Sequence, residues 1–288
     1  MFIPVTDQDA RLLNVVEHSR DSAGMTYVYP VISRRAGGVS VGINLNPNNA
    51  CNWQCVYCQV PSLTRGGPPP LDLALLQQEL QSLLQDILLG DFMVRRVPET
   101  SRRLMDVAFS GNGEPTSAPE FAEAVSVVAK VLDEAGLAGK LPLRLITNGS
   151  LLDKSAVQDG VAELARHGGE VWFKLDAALP EDIQRINGSR IQPEQHLARL
   201  QTCACLCSTW VQSCFFRTDG EAPSSASMDA YVALLARATM EVQGVHLYGL
   251  ARASMQPGAD RLSPLPADWF EALAQRLKEK GLTVSVSP

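Results

Sequence analysis

Three cysteines, Cys51, Cys55 and Cys58, fall within eight residues of the stretch NPNNACNWQCVYCQVP (46–61), and no fourth cysteine or histidine stands near them. A structural zinc site takes four ligands in a closed tetrahedron, and Cys-x3-Cys-x2-Cys supplies three. The spacing is also foreign to paired zinc knuckles. A [4Fe–4S] cube has four irons, each normally held by a thiolate. Three cysteines leave one iron open to a substrate or cosubstrate, as a catalytic zinc keeps one position free. Asn48 and Asn49 make a turn ahead of the loop, and Trp53 and Tyr57 can shield a cluster from solvent. Three inert buried thiols are the plainer alternative, but a loop is where such residues are least expected.

Short β-rich runs alternate with longer runs of helical period and must position this loop. Strands are expected at 39–45, 106–110, 141–147, 170–176, 208–216 and 244–250, with a further short one at LTVSV (282–286). Helices are expected at 71–89, after 120, after Asp153, at 193–201, after Ser227 and at 266–280. SAPE (117–120) reads as a capping box, Ser117 at N-cap and Glu120 at N3. Six βα units imply a parallel sheet with helices outside. YVYPVIS (27–33) reads as a strand able to pair with 39–45 through RRAGG, so residues 1–38 form an N-terminal extension and 39–288 one core domain.

In parallel α/β folds the site lies at the C-terminal strand ends. Here those ends run into the cysteine loop, GNGEPT (111–116), Thr147-Asn148-Gly149, Lys174 and Asp176, Arg217-Thr218-Asp219, and Arg252. All six together argue for one shared site. Lys174 and Asp176 share one strand face and Val171, Phe173 and Leu175 the other. A strand covered on both sides keeps charges only with partners.

The composition is that of a soluble globular chain: 288 residues, 45% hydrophobic and 19% charged. A net charge of −6 lacks the field of a dedicated nucleic-acid binder, and the basic spots at Arg34-Arg35 and VRRVPETSRR (94–103) read as solvated faces. The first residues lack the cationic stretch of a signal peptide, and no apolar run reaches a membrane span. Seven cysteines without an export signal imply a reducing compartment, so a cytoplasmic location is expected.

CNWQCVYC resembles the C-x3-C-x-aromatic-C signature of the radical S-adenosylmethionine (radical SAM) superfamily. Other landmarks follow in order: Asn112-Gly113-Glu114-Pro115 is similar to the family's Gly-Gly-Glu-Pro motif, with TNGS (147–150) and KLD (174–176) after it. SRRAGGVSVGINLNP (33–47) with SGNGEPT (110–116) resembles a branch of small single-domain oxidoreductases distantly related to the wyosine-type tRNA base-forming enzymes. The likeness spans about residues 27–252. It departs from the family's motif at Asn112.

The resemblance implies a partial (β/α)6 TIM-type barrel. It implies that Cys51, Cys55 and Cys58 hold a [4Fe–4S] cluster whose fourth iron is chelated by SAM. Reductive cleavage of SAM then gives methionine and a 5′-deoxyadenosyl radical that abstracts hydrogen from substrate. A reductant of flavodoxin or ferredoxin type is implied. Gly111, Gly113 and Glu114 are candidates at the methionine end, where glycine lets backbone approach. Lys174 is a candidate for the SAM carboxylate, Asp176 for its ribose, Tyr57 for its adenine and Asn148 for a cofactor bond. Arg217 and Arg252 are candidates for an anionic substrate group. His246 and Tyr248 lie near the adenine position, and His246 reads as a core histidine.

Cys203, Cys205, Cys207 and Cys214 raise the question of a second cluster, against which C-x-C-x-C is tight spacing for one cube. The competing readings are a non-catalytic iron–sulfur or zinc barrel serving as a partner protein, and a barrel hydrolase with a divalent metal. The latter needs a carboxylate or histidine cluster that the four histidines do not provide. A tRNA base, a protein side chain and a small metabolite all remain open as substrates.

Overall fold

The computed structural model describes residues 12–14, 23–33 and 37–288. One sheet takes eight strands in chain order: β1 (Val28–Ser33), β2 (Gly38–Ile43), β3 (Leu104–Phe109), β4 (Leu143–Thr147), β5 (Glu170–Lys174), β6 (Ser208–Cys214), β7 (Gly244–Tyr248) and β8 (Val284–Ser287). β1 runs antiparallel to β2, and every later neighbour pairs in parallel. Between them lie α1 (Leu73–Leu89), α2 (Phe92–Arg96), α3 (Phe121–Glu134), α4 (Ser155–Arg166), α5 (Pro180–Asn187), α6 (Pro193–Leu206), α7 (Ser225–Ala236) and α8 (Ala267–Lys278). The sheet curls into a half barrel, and β1 and β8 do not pair among the described residues. The βα repetition expected from the sequence is present, and 284–287 supplies a further parallel strand at the far edge.

Alternation along each strand sorts the two faces. Val107, Phe109, Leu143, Leu145, Val171, Phe173, Val211, Val245 and Leu247 are buried in the core beneath the helices. Helical spacing brings Phe121, Val125, Val128 and Leu132 of α3 onto the same core. Each such side chain contributes about 1.5–3 kcal/mol by leaving water. The opposite strand faces carry Ser40, Asp106, Arg144, Trp172, Lys174 and Gln212 into the hollow of the curl.

Two helix starts differ from the sequence expectation. Ser117 does not cap α3, because its hydroxyl donates to the Glu114 carbonyl at 2.6 Å, and the helix begins at Phe121. Ser224, not Ser227, caps α7, accepting from the Ser227 amide at 3.1 Å. The charge-rich stretch 94–103 folds onto its own surroundings: Arg95 pairs with Asp86 and Asp91, and Arg102 donates to the Val94 and Val97 carbonyls. Arg34 and Arg35 lie outside the described residues. Buried Glu79 on α1 accepts from the Thr26, Tyr27 and Val28 amides and fixes the start of β1.

Candidate active site

The cysteine loop has almost no regular structure of its own, and both flanking and distant segments hold it. Ala50–Cys51 forms a two-residue parallel pairing with Thr64–Arg65. Two buried asparagines just past β2 come next: Asn44 Oδ1 accepts from the Asn46 and Asn112 amides, and Asn46 Nδ2 donates to the Ala50 carbonyl. The C-terminal carbonyls of α5 accept from the loop, Ile186 from the Val56 amide at 2.9 Å and Asn187 from the Gln54 amide at 3.0 Å. The segment after β7 straps the far side. The Ser254 hydroxyl donates to the Val56 carbonyl at 2.7 Å, the Met255 amide to Cys58 at 2.9 Å, and Gln256 Nε2 to Val60 at 2.7 Å.

This arrangement brings all three thiols to the rim of one cavity of about 330 Å³. Tyr57, Gly111, Gly113, Glu114, Asn148, Lys174 and Arg252 line the same cavity, with Cys214 and Tyr248. Asp176 does not; it lies behind Tyr57, 2% exposed. Its Oδ2 accepts from the Tyr57 hydroxyl and from Asn187 Nδ2, and its Oδ1 from the Cys214 amide at 2.8 Å. Arg217 also stands apart: it belongs to a two-residue pairing with Leu262–Ser263, and its guanidinium reaches the Gly220 carbonyl.

The two glycines are required by the protein's own chain. A Cβ on Gly113 would sit 2.0 Å from the Ala50 carbonyl oxygen, and one on Gly111 would sit 2.3 Å from Asn44 Oδ1. Gly149 combines a φ of +67° with a close approach to the Phe173 ring. Glu114 is spent on its neighbours. Its Oε1 accepts from Thr116 and from the Thr147 hydroxyl at 2.5 Å, and its Oε2 from the Asn148 amide at 2.6 Å. Burial raises its pKa, partly offset by these bonds. Asn148 in turn bonds its own turn through the Ser150 amide and reaches Asn52 Oδ1 at 2.8 Å, tying the TNGS turn to the cysteine loop.

Lys174 Nζ donates to the Tyr57 hydroxyl at 3.0 Å. Burial opposes its charge, but the surrounding Tyr248, Cys55, Asp176 and Cys214 outweigh it, so the ammonium is kept well above the ordinary lysine pKa. Burial pushes the Cys51 thiol up to about 12 and the Cys55 thiol to about 11. Lower in the hollow, Arg144 is clamped between Glu170 and Asp106, and Asp106 also accepts from Ser40. Arg144 lies over the Trp172 ring at 4.9 Å, and His246 stacks on Trp210 at 4.5 Å. His246, expected in the core, is half-buried between the Trp172 and Trp210 rings.

The donor set fits an iron–sulfur cluster. Soft thiolates favour such a group, and two of the three sulfurs receive N–H donors, Cys51 from the Trp53 amide at 3.5 Å and Cys55 from Asn187 Nδ2 at 3.4 Å. Such donors are what ligating thiolates call for in their surroundings. A family model described as the radical SAM superfamily matches residues 45–205. The chain belongs to the radical SAM superfamily. Enzymes of this superfamily use SAM and an iron–sulfur cluster and need a reductant. A radical SAM methyltransferase from Sphaerobacter thermophilus shares the fold, with 16% identity, a TM-score of 0.56, and coverage of 90% of this chain and 68% of that one. A domain of pyruvate-formate lyase-activating enzyme from Bacteroides vulgatus aligns at 15% identity and TM-score 0.47 over 64% of this chain and 99% of that one. A protein named GTPase Obg from Brachyspira hyodysenteriae is 26% identical over 132 residues, 45% of this chain. The radical SAM chain spans only 16% of that relative's length.

The second cysteine group does not form one site. Cys203 and Cys207 are buried where α6 meets the start of β6, accepting from Thr209 and donating to the Gly169 carbonyl respectively. Cys205 is exposed, and Cys214 ends β6 beside the cavity. A strand rises about 3.3 Å per residue, so the seven residues of β6 put Cys214 far from the other three. No helix among the described residues is long and apolar enough to cross a membrane.

Asn44, Asn46, Asn52, Asn187, Ser254 and Gln256 are absent from the sequence expectation. They fall in four separate segments, and only Asn52, inside CNWQC, carried a local hint.

Proposed function

We propose that Cys51, Cys55 and Cys58 hold a [4Fe–4S] cluster with one open iron, and that the radical SAM chain acts on a substrate seated in the hollow below it. The observation that carries this reading is the convergence of three thiols and a charged lysine on one cavity. Bound there, the cluster supplies the electron that cleaves SAM to methionine and a 5′-deoxyadenosyl radical able to take hydrogen from substrate. Lys174 would meet the SAM carboxylate with its ammonium, and Tyr57 would lie toward the adenine. Gly111 and Gly113 give the methionine end a rim without side-chain bulk, and Asn112 between them turns its amide to Asn49 Oδ1 at 2.6 Å. Glu114 and Asn148 act by holding that rim to the cysteine loop. Asp176, with both oxygens engaged, serves the ribose through Tyr57 rather than by direct contact. Arg252, at the mouth and 3.3 Å from Gln59 Oε1, receives an anionic substrate group. Arg217 lies outside the cavity and has no part in this reading. The hollow keeps Asp106, Arg144 and Gln212 where barrels usually carry branched apolar side chains, which suits a polar substrate. The electron comes from a flavodoxin- or ferredoxin-type donor.

The test is 5′-deoxyadenosine formation by anaerobically reconstituted protein given SAM and dithionite, beside a Cys55→Ala control. Product above the control, with about four irons per chain, is expected. A chain that takes up zinc and forms no product would overturn the reading.

A further inference from the structure

Asn187 closes α5 next to a left-handed Gly188 whose Cβ position lies 3.0 Å from Gln54. The helix end is thus pressed against the middle of the cysteine loop. The Asn187 side chain is 1% exposed and spends its amide nitrogen twice, on Asp176 Oδ2 at 2.7 Å and on Cys55 Sγ at 3.4 Å. Both partners are acceptors, so a flipped amide would set its oxygen against a carboxylate. Asp176 is fixed in turn by Tyr57 and the Cys214 amide. Cys51 also receives an N–H, but from backbone that every residue type supplies. Among the described residues, Asn187 donates to a cluster cysteine from its side chain.

Given the cluster reading above, on which this rests, we propose that Asn187 is a positioning residue that sets the cluster's reduction potential through its N–H bond to Cys55, and that Asp176 orients it. Adding an electron raises the negative charge on the cysteine sulfurs. An N–H donor stabilises the reduced form more than the oxidised one and raises the potential. Where loss of the bond changes the reduced-to-oxidised ratio at fixed potential about tenfold, the midpoint moves by about 59 mV for one electron.

The experiment is an EPR-monitored redox titration of reconstituted wild type, Asn187→Leu, Asn187→Ser and Asp176→Asn, each with its iron content. The expected result is full iron, a midpoint about 59 mV more negative in both Asn187 variants, and a smaller shift of the same sign in Asp176→Asn. An unchanged midpoint with full iron overturns the proposal. If the Asn187 variants lose iron, ENDOR on wild type carrying 15N in its asparagine side-chain amides decides, because the backbone N–H at Cys51 is then silent: a side-chain 15N coupled to the cluster supports the bond, and its absence overturns it. Wild type that binds no cluster instead refutes the underlying reading, so the two failures are distinguishable.

Discussion

Gly113→Ala is the sharpest test of how the site is built. The added Cβ falls 2.0 Å from the Ala50 carbonyl oxygen and 2.7 Å from Asn46 Cγ and Nδ2. Ordinary contact begins at 3.4 Å, so the two backbones must part by about 1.4 Å. Neither is a flexible side-chain end, and Ala50 directly precedes Cys51. Parting them also strains the Asn46–Ala50 hydrogen bond of 3.0 Å. Overpacking costs about 1–3 kcal/mol and a lost hydrogen bond about 1 kcal/mol, so the sum is about 2–4 kcal/mol. For a chain of this size that lowers Tm by roughly 4–8 °C. Thermal unfolding of the apoprotein and the iron content after anaerobic reconstitution are the assays. Gly136→Ala is the control: it has a φ of +67° but nothing within 4 Å of its Cβ, so it carries strain without a clash. The control loses about 1–2 kcal/mol to its left-handed backbone and keeps its iron, whereas Gly113→Ala loses more stability and its iron as well. A Gly113→Ala protein with wild-type Tm and full iron would refute the argument that this glycine serves the chain's own packing.

Glu114→Gln keeps the shape but turns an amide toward the Asn148 N–H, costing about 2–4 kcal/mol at neutral pH. The folded-state pKa of Glu114 lies above its ordinary 4.5. Between the two values the folded protein therefore binds more protons than the unfolded one, and wild-type stability from this group falls as pH rises. The Tm gap between wild type and variant should widen as pH drops from 7 toward 4.5; a gap that narrows sinks the assignment. Replacing Cys203, Cys205 and Cys207 together, by Ala, Ser and Ala, should leave bound iron unchanged and cost about 1–2 kcal/mol from small buried cavities. Loss of iron in that variant would show that a second cluster site exists.

Strand and helix succession was legible because each element carries its own period. Val171, Phe173 and Leu175 against Lys174 and Asp176 identify a strand and its two faces without any neighbour in view. Clustering of the strand ends was legible too, because parallel topology sends every C-terminal end to one side. What a side chain does on arrival was not. Lys174 and Asp176 share a face by parity, yet the first lines the cavity and the second sits behind Tyr57. Two residues of parity say nothing of a tyrosine 119 positions away. Arg217 ends β6 as plainly as Arg252 follows β7, but a short pairing with Leu262–Ser263 turns the chain aside. Helix α5 escaped notice because PEDIQRIN has only two apolar side chains, Ile183 and Ile186, to mark a face.

The asparagines follow from the same limit, and they say how the site assembles. A loop of this kind cannot satisfy its own backbone, so its amides and carbonyls need partners from elsewhere. Asn44 and Asn46 arrive from β2, Asn148 from β4, Asn187 from α5, and Ser254 with Gln256 from beyond β7. The last of these lies 198 residues from its partner. The cysteines are therefore adjacent in sequence but are held in place only once nearly the whole sheet has formed. Local order of the loop should track global stability rather than the stability of the segment that contains it. Amide exchange at Val56 and Cys58, whose N–H groups bond to Ile186 and Cys55, measures this directly. Their protection should fall in parallel with that of β6 as denaturant is added. Protection lost well before β6 opens would mean that the strap and the helix end release the loop independently, and that the site is less cooperative than its hydrogen bonds imply.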